Sequence, residues 1–425
     1  MQKPKGTYDV FGERGKKELY IRGLMETLMN KYNYEYVDTP IFEASELFHR
    51  GVGETTDIVT KETYDFVDRG ERNMTLRPEG TAGVVRSFVE NKMYARESMP
   101  VKVWYFGPMF RYERPQSGRY RQFKQFGVEV FGSEDALVDA EVISIPVNLY
   151  KILGLKGIKV NINSLGDKES RENYREALIK HFEPVIDTLC EDCKERFKKN
   201  PLRILDCKID ADKEIMKTAP TTIDYLNDES RTHFENVKKY LEALGIDYVV
   251  NPRVVRGLDY YTHTVFEVEA DIPSFGAQNV LCGGGRYNGL VEQIGGPDTN
   301  GVGFALGFER LINALEAENI ELPYEKEIDA YVIPMSDNEK AYGFDVLQTL
   351  RMSGFNADID YMSRKIGGNF KQADRLNSKF VIIIGEDETK SNILTIKNNS
   401  TKEEYKVSKD LIIDFFDDNL EKEEH

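Results

Sequence analysis

Apolar positions change their period along this chain, and the changes mark its parts. From Val101 to Arg111, Gln125 to Phe131, Lys159 to Ile162 and Thr264 to Glu269 they alternate or cluster in short runs, which predicts strands. The first two runs flank an Arg-rich polar stretch, so Val103 to Gly132 predicts a hairpin with a long loop. Alternation there puts Gln125, Gly127, Glu129 and Phe131 on one face and Phe126, Val128 and Val130 on the other, so polar groups line one side. Gly166 and Gly245 then bound 78 residues without a glycine, where 33 Gly in 425 would place about six. This stretch is rich in Lys, Glu, Arg, Leu and Ala, with Leu178, Phe182, Val185, Ile186 and Leu189 as a helical stripe. It predicts a helical insertion over residues 167–244 that interrupts one sheet-rich domain.

After a short charged linker, Leu322 to Ile328, strand and helix alternate. Strand Tyr331 to Met335, helix Asn338 to Met352, strand Phe355 to Ile359, helix Phe370 to Leu376 and strand Val381 to Ile384 make two βαβ-type units and a mostly parallel small sheet. Strands near Ile393 to Lys397 and Tyr405 to Val407 follow, and Ser408 caps a last helix through Phe416. The acidic tail from Asp417 is expected to fray.

Charge changes the picture. The chain carries 57 basic and 73 acidic residues, a net −16, so its average surface repels polyanions. A nucleic-acid partner must meet local patches, and two exist: Lys102 to Lys124 is +5, and Arg364 to Lys379 is +4. No apolar run approaches the ~20 residues that span a bilayer. The start lacks the apolar stretch of an export signal, and four Cys make no disulfide framework, so a cytoplasmic location and no membrane partner are expected.

Several segments could carry chemistry. In TLRPEGTAG a turn at Pro78 and Gly80 presents Glu79, which the residues alone favour as a surface acid, and Thr81 is placed to cap a helix from Ala82. In VVRGLDYYTHTV, Arg256 and Gly257 precede Tyr260 and Tyr261, either a small polar pocket or a strand end with tyrosine packing. CGGGRYNGL permits close backbone approach but fits no Walker or Rossmann pattern. In GVGFALGFERLINAL a strand turns into a helix with Arg310 in its first turn. There it opposes the helix dipole and calls for an anion, or for a salt bridge to Glu309 or Glu113. Cys190, Cys193 and Cys207 give a C-x2-C and a third thiol, but no fourth His or Cys stands beside them. No metal is therefore assigned, and structural zinc is not expected.

Taken together these peptides resemble a known family. FRYERPQSGRYRQF is similar to motif 2 of the class II aminoacyl-tRNA synthetases, GVGFALGFERL to motif 3 and YVDTPIFE to motif 1. RGLDYYTHTVFE and GGGRYNGLVE resemble the two signature peptides of histidyl-tRNA synthetases, and KGTYDV, LRPEGTAG and GVEVFG fit the same family. The resemblance runs from Lys5 to Leu315 and implies an α+β catalytic domain with a six-stranded antiparallel sheet flanked by helices. It implies that residues 1–325 form this domain, interrupted by the 167–244 insertion, and that 329–425 form an α/β anticodon-binding domain.

The activity implied is ATP-dependent ligation of L-histidine to its cognate tRNA through a histidyl adenylate, with Mg²⁺ accompanying ATP. The partners implied are tRNA(His) and a second copy of the chain, a homodimer with Tyr36 to Phe42 at its interface. By position, Arg111 and Arg256 would hold the α-phosphate as the catalytic pair, and Arg119 and Arg310 would reach the β- and γ-phosphates. Glu79, Thr81 and Gln125 would receive the substrate amine, Glu129 and Tyr261 the ring nitrogens, and Tyr260 and Tyr287 would close the pocket. Arg114 and Gln116 would face the acceptor end of the tRNA. A non-catalytic paralogue that regulates a phosphoribosyltransferase would not need these peptides or the 97 residues from 329 onward. A synthetase for another amino acid of the same subclass is the other alternative.

Overall fold

The alternating segments of the first three hundred residues become strands of one sheet in the computed structural model of the chain. It describes residues 1–420 except 53–55, 57, 117, 206, 208, 255, 257, 259, 273, 274, 276–278, 325 and 326, so Gly257 of the tyrosine peptide and the end of the acidic tail lie outside the described residues. Chain contacts divide the molecule into a unit from Met1 to Leu322 and a second that begins at Pro323.

The sheet of the first unit has eight strands in the order Glu35–Tyr36, Val101–Phe110, Gln122–Phe131, Gly301–Gly307, Val280–Arg286, Thr262–Ala270, Ile158–Ser164 and Tyr248–Val250. It is mixed, not a six-stranded antiparallel sheet: the six central strands are antiparallel, but each edge adds a strand in parallel. The edge strands have two and three residues, too few for a period to register.

Both faces of the sheet are covered. On one, Val101, Val103, Tyr105, Met109, Phe131 and Val265 form a buried cluster with Val84, Val85 and Phe88 of helix Thr81–Glu90. On the other, Trp104, Phe126 and Phe304 make a run of ring contacts 6.0 and 5.8 Å apart. Burying two faces explains why strand Gln122–Phe131 is buried from Phe126 onward on both alternating sets, so Gly127 and Glu129 lie inside.

The described part of residues 167–244 is built from helices and 3-10 turns, with no strand. The expected stripe does not stay on one helix, because Lys168–Phe182 ends before Pro184 and a 3-10 turn, Glu183–Thr188, follows. Tyr174, Leu178, Phe182, Leu189, Cys193, Ile204, Cys207 and Met216 form a small core of their own. Helix Asp228–Ala243 instead packs on helix Ala136–Ile152 and the main sheet.

The second unit has a five-stranded sheet in the order Ala357–Ile359, Ile328–Pro334, Ser378–Ile384, Ile393–Asn398, Glu404–Ser408. Its first three strands are parallel, as the two βαβ-type units require, and its last two join antiparallel as a meander. Helix Glu386–Ser391, acidic throughout its first turn, was not legible from apolar period. Among the described residues no helix is long and apolar enough to cross a membrane.

Candidate active site

A cavity of about 340 Å³ opens on the helix-covered face of the main sheet. Its wall brings together Glu79, Thr81, Arg111, Arg119, Gln125, Arg256, Tyr260, Tyr261 and Arg310, nine of the expected residues, from segments up to 231 positions apart. Glu129 and Tyr287 stand behind this wall, and Arg114 and Gln116 are exposed outside it.

The carboxylates are the unusual groups. Glu79 is buried rather than on the surface: its Oε2 accepts from the Thr81 N–H at 2.7 Å and its Oε1 from that of Ala82 at 2.8 Å. The acid two residues ahead thus caps helix Thr81–Glu90, and Thr81 is a first-turn residue rather than the cap. Burial raises the Glu79 pKa, while the two N–H groups and Arg111 oppose the shift. Thr81 Oγ1 is left to donate to Glu129 Oε1 at 2.7 Å, and Tyr287 OH donates to Glu129 Oε2 at 2.5 Å. Two hydroxyls do not replace the water removed, so burial pushes Glu129 up to about 8.

The guanidinium groups are held by oxygen atoms. Arg111 donates to the Pro78 carbonyl at 2.8 Å, and Arg119 lies 3.4 Å from Glu113. Arg119 leaves a tight turn in which its N–H bonds Gln116 O at 2.9 Å, with Gly118 at φ +73°. Arg310 donates to the Val280 carbonyl at 2.8 Å and the Gly118 carbonyl at 3.4 Å, whereas Glu309 turns away to accept from Tyr8 and the Lys124 N–H. Burial, with Arg119 and Arg111 nearby, lowers the Arg310 pKa. Three cations crowded on one wall make a site for an anion.

Arg256 pairs with Glu267 at 2.6 Å and lies over the Tyr261 ring, 5.9 Å from its centroid. Its guanidinium rests flat on strand Val280–Arg286, where a Cβ on Gly283 would come within 2.3 to 2.5 Å of it. The triple glycine is therefore strand backbone that gives way to an arginine and, at Gly284, to the neighbouring strand. Buried Nε of Arg256 and Oε1 of Gln125 have no hydrogen-bond partner among the described residues.

Sequence reasoning missed Glu267 and Tyr105 as parts of this region. Glu267 did leave a signal, an acid in the middle of the apolar strand Thr262–Ala270. Tyr105 left none: its ring fills the space that Gly80 and Gly127 vacate, each of which would bring a Cβ within 2.4 Å of it.

This geometry has close counterparts. A histidyl-tRNA synthetase family model matches residues 6–311, and an anticodon-binding domain model matches residues 329–419. A histidine--tRNA ligase of Anoxybacillus flavithermus is 55% identical over 407 residues, 96% of this chain and 96% of the relative. One from Staphylococcus aureus is 53% identical over 414 residues, 97% of this chain and 99% of the relative. The crystal structure of apo S. aureus histidyl-tRNA synthetase matches with a TM-score of 0.85 at 46% identity, covering 98% of this chain and 99% of that one. With a family model across residues 6–311 and relatives more than half identical over nearly their whole length, the chain belongs to the histidyl-tRNA synthetase family.

Proposed function

We propose that the chain charges tRNA with histidine at this cavity, in two steps driven by positioned charge. The histidine carboxylate attacks the α-phosphorus of ATP, the bond to pyrophosphate breaks, and histidyl adenylate forms. A terminal ribose hydroxyl of tRNA then attacks the adenylate carbonyl carbon and AMP leaves. The observation that carries this reading is the convergence of Arg111, Arg119, Arg256 and Arg310 on one cavity that also holds Glu79, Gln125 and three tyrosines.

Arg111 and Arg256 hold the α-phosphate, whose charge grows as the nucleophile arrives, and the planar fork of each suits two oxygens at once. Arg119 and Arg310 take the β- and γ-phosphates. ATP enters with Mg²⁺ as part of the substrate, and Glu113 and Glu267 would supply hard oxygen donors of the kind that ion takes. Glu79, Thr81 and Gln125 receive the amine, and Glu129 and Tyr261 take the two ring nitrogens. Tyr260 and Tyr287, with ring centroids 5.6 Å apart, close the pocket. Arg114 and Gln116, exposed on the loop, face the tRNA acceptor end.

Residues 1–325 form the catalytic domain with the 167–244 insertion, and residues 329–425 bind the anticodon. Tyr36, Ile41, Phe42, Phe66 and Val67 are exposed apolar side chains around the edge strand, which supports a homodimer joined near Tyr36 to Phe42. ATP–pyrophosphate exchange tests the reading: exchange should require histidine and fail with threonine, proline or glycine. Exchange supported equally by one of those amino acids would refute it.

A further inference from the structure

We infer that Cys190, Cys193, Cys207 and Asp210 form a tetrahedral zinc site that staples the helical insertion. The sequence offered three thiols and no fourth His or Cys; the fold supplies a carboxylate instead. All four ligand atoms lie within 4.8 Å of one another, and Cys193, Cys207 and Asp210 are buried. Cys190 Sγ is 3.6 Å from Cys207 Sγ, which is 3.7 Å from Asp210 Oδ2. Zn–S bonds of about 2.3 Å at the tetrahedral angle put sulfurs about 3.8 Å apart, close to these two edges of the cluster.

The backbone is arranged to match. The ligands come as two pairs with the same i, i+3 spacing, Cys190/Cys193 and Cys207/Asp210. The first pair sits on a tight turn in which the Cys193 N–H bonds Cys190 O at 3.0 Å, and in the second the Asp210 N–H points at Cys207 Sγ at 3.4 Å. Lys213 holds Asp210 Oδ1 at 2.8 Å, while Oδ2 accepts from the Cys190 N–H at 2.9 Å and faces the sulfurs. One oxygen is thus oriented by a cation and the other is presented as a ligand. Among the described residues between Glu183 and Lys217 the chain has only a nine-residue helix, a four-residue helix and 3-10 turns. A segment so short of regular structure gains from a metal staple.

The test uses the full chain, expressed with added zinc and purified under argon with reductant and no chelator. Elemental analysis should find about one zinc per chain, and X-ray absorption should show about three sulfurs and one lighter ligand. Cobalt(II) in place of zinc should give thiolate-to-metal charge-transfer bands, lost in Cys207→Ser and weakened in Asp210→Ala. Protein that holds under about a tenth of an equivalent after zinc loading overturns the site, as does a nitrogen- and oxygen-only shell or zinc retained in full by Cys207→Ser. A Cys190–Cys207 disulfide formed under the same conditions also overturns it, in favour of a redox pair. Absorption on the parent chain decides the matter even if the variants fail to fold.

Discussion

Replacing Glu129 by Gln should make the catalytic unit more stable and the enzyme worse, and the two effects can be separated by pH. Glu129 is 1% exposed, and burial pushes its pKa from 4.5 up to about 8. The sign follows from proton uptake: the folded chain holds this proton and the unfolded chain releases it. Stability from the group is therefore complete below about pH 4.5 and falls until the pH passes about 8. Between about pH 6 and pH 8 those two pKa values cost the parent about 2 kcal/mol that Gln does not pay. Gln keeps both contacts, since its carbonyl can accept from one hydroxyl and its amide can donate to the other. Trp104 is the sole tryptophan and pairs with Val128, next to Glu129, so its fluorescence during urea unfolding reports this sheet. The unfolding free energy of Glu129→Gln relative to the parent should grow by about 2 kcal/mol over that pH interval. The apparent affinity for histidine should fall while that for ATP holds. A pH-independent difference would refute the buried-proton argument, and equal losses for histidine and ATP would remove Glu129 from the histidine pocket.

Four more outcomes follow. Arg256→Lys should lower histidine-dependent pyrophosphate exchange by ~10² or more, because a preorganised bidentate donor is lost at a developing charge; exchange within threefold of the parent would rule out that role. Gly283→Ala should act through the same residue, since its Cβ would fall within 2.3 to 2.5 Å of the guanidinium and displace it. A displacement near 1 Å can cost ~10²-fold, so normal exchange in a folded Gly283→Ala chain would show that the flat seat of Arg256 is dispensable. Deleting residues 329–425 should weaken tRNA affinity while the remaining unit still makes histidyl adenylate, and unchanged charging by the folded remnant would assign the second unit another role. Parent tRNA binding should itself weaken by orders of magnitude as salt rises from about 50 to 200 mM.

What the sequence made legible depended on how far away the deciding partner lay. Long alternating runs reported the hairpin Val101–Phe110 with Gln122–Phe131, because the period of a strand is written in consecutive residues. Two-residue and three-residue edge strands were invisible for the same reason. Pro184 broke a stripe that apolar spacing alone carried straight through. A pattern of His and Cys does not reach Asp210, although Cys207-x2-Asp210 repeats the spacing of Cys190-x2-Cys193.

Buried acids were the hardest to read, and the reason is physical. An acid is a surface residue by default, and only its donors make it anything else. For Glu79 those donors are two N–H groups next to it, yet no capping pattern places the carboxylate two residues ahead of the helix. For Glu309 they come from Tyr8 and Lys124, 301 and 185 residues away, and for Glu129 from Thr81 and Tyr287. Away from the cavity, burial works to raise Asp139 but the Arg286 guanidinium beside it holds it at about 2, so that buried acid keeps its charge as part of an ion pair. Glu79 and Glu129 have no such full partner, and both are raised. A fold tolerates dry carboxylates without matching cations where a ligand is to bring the missing charge. Burial also raises Glu267 and Glu309 on the same wall, so a raised acid marks a dry carboxylate rather than one end of the cavity, and the proposed placement of the histidine amine and ring beside Glu79 and Glu129 is decided by the Glu129→Gln affinities.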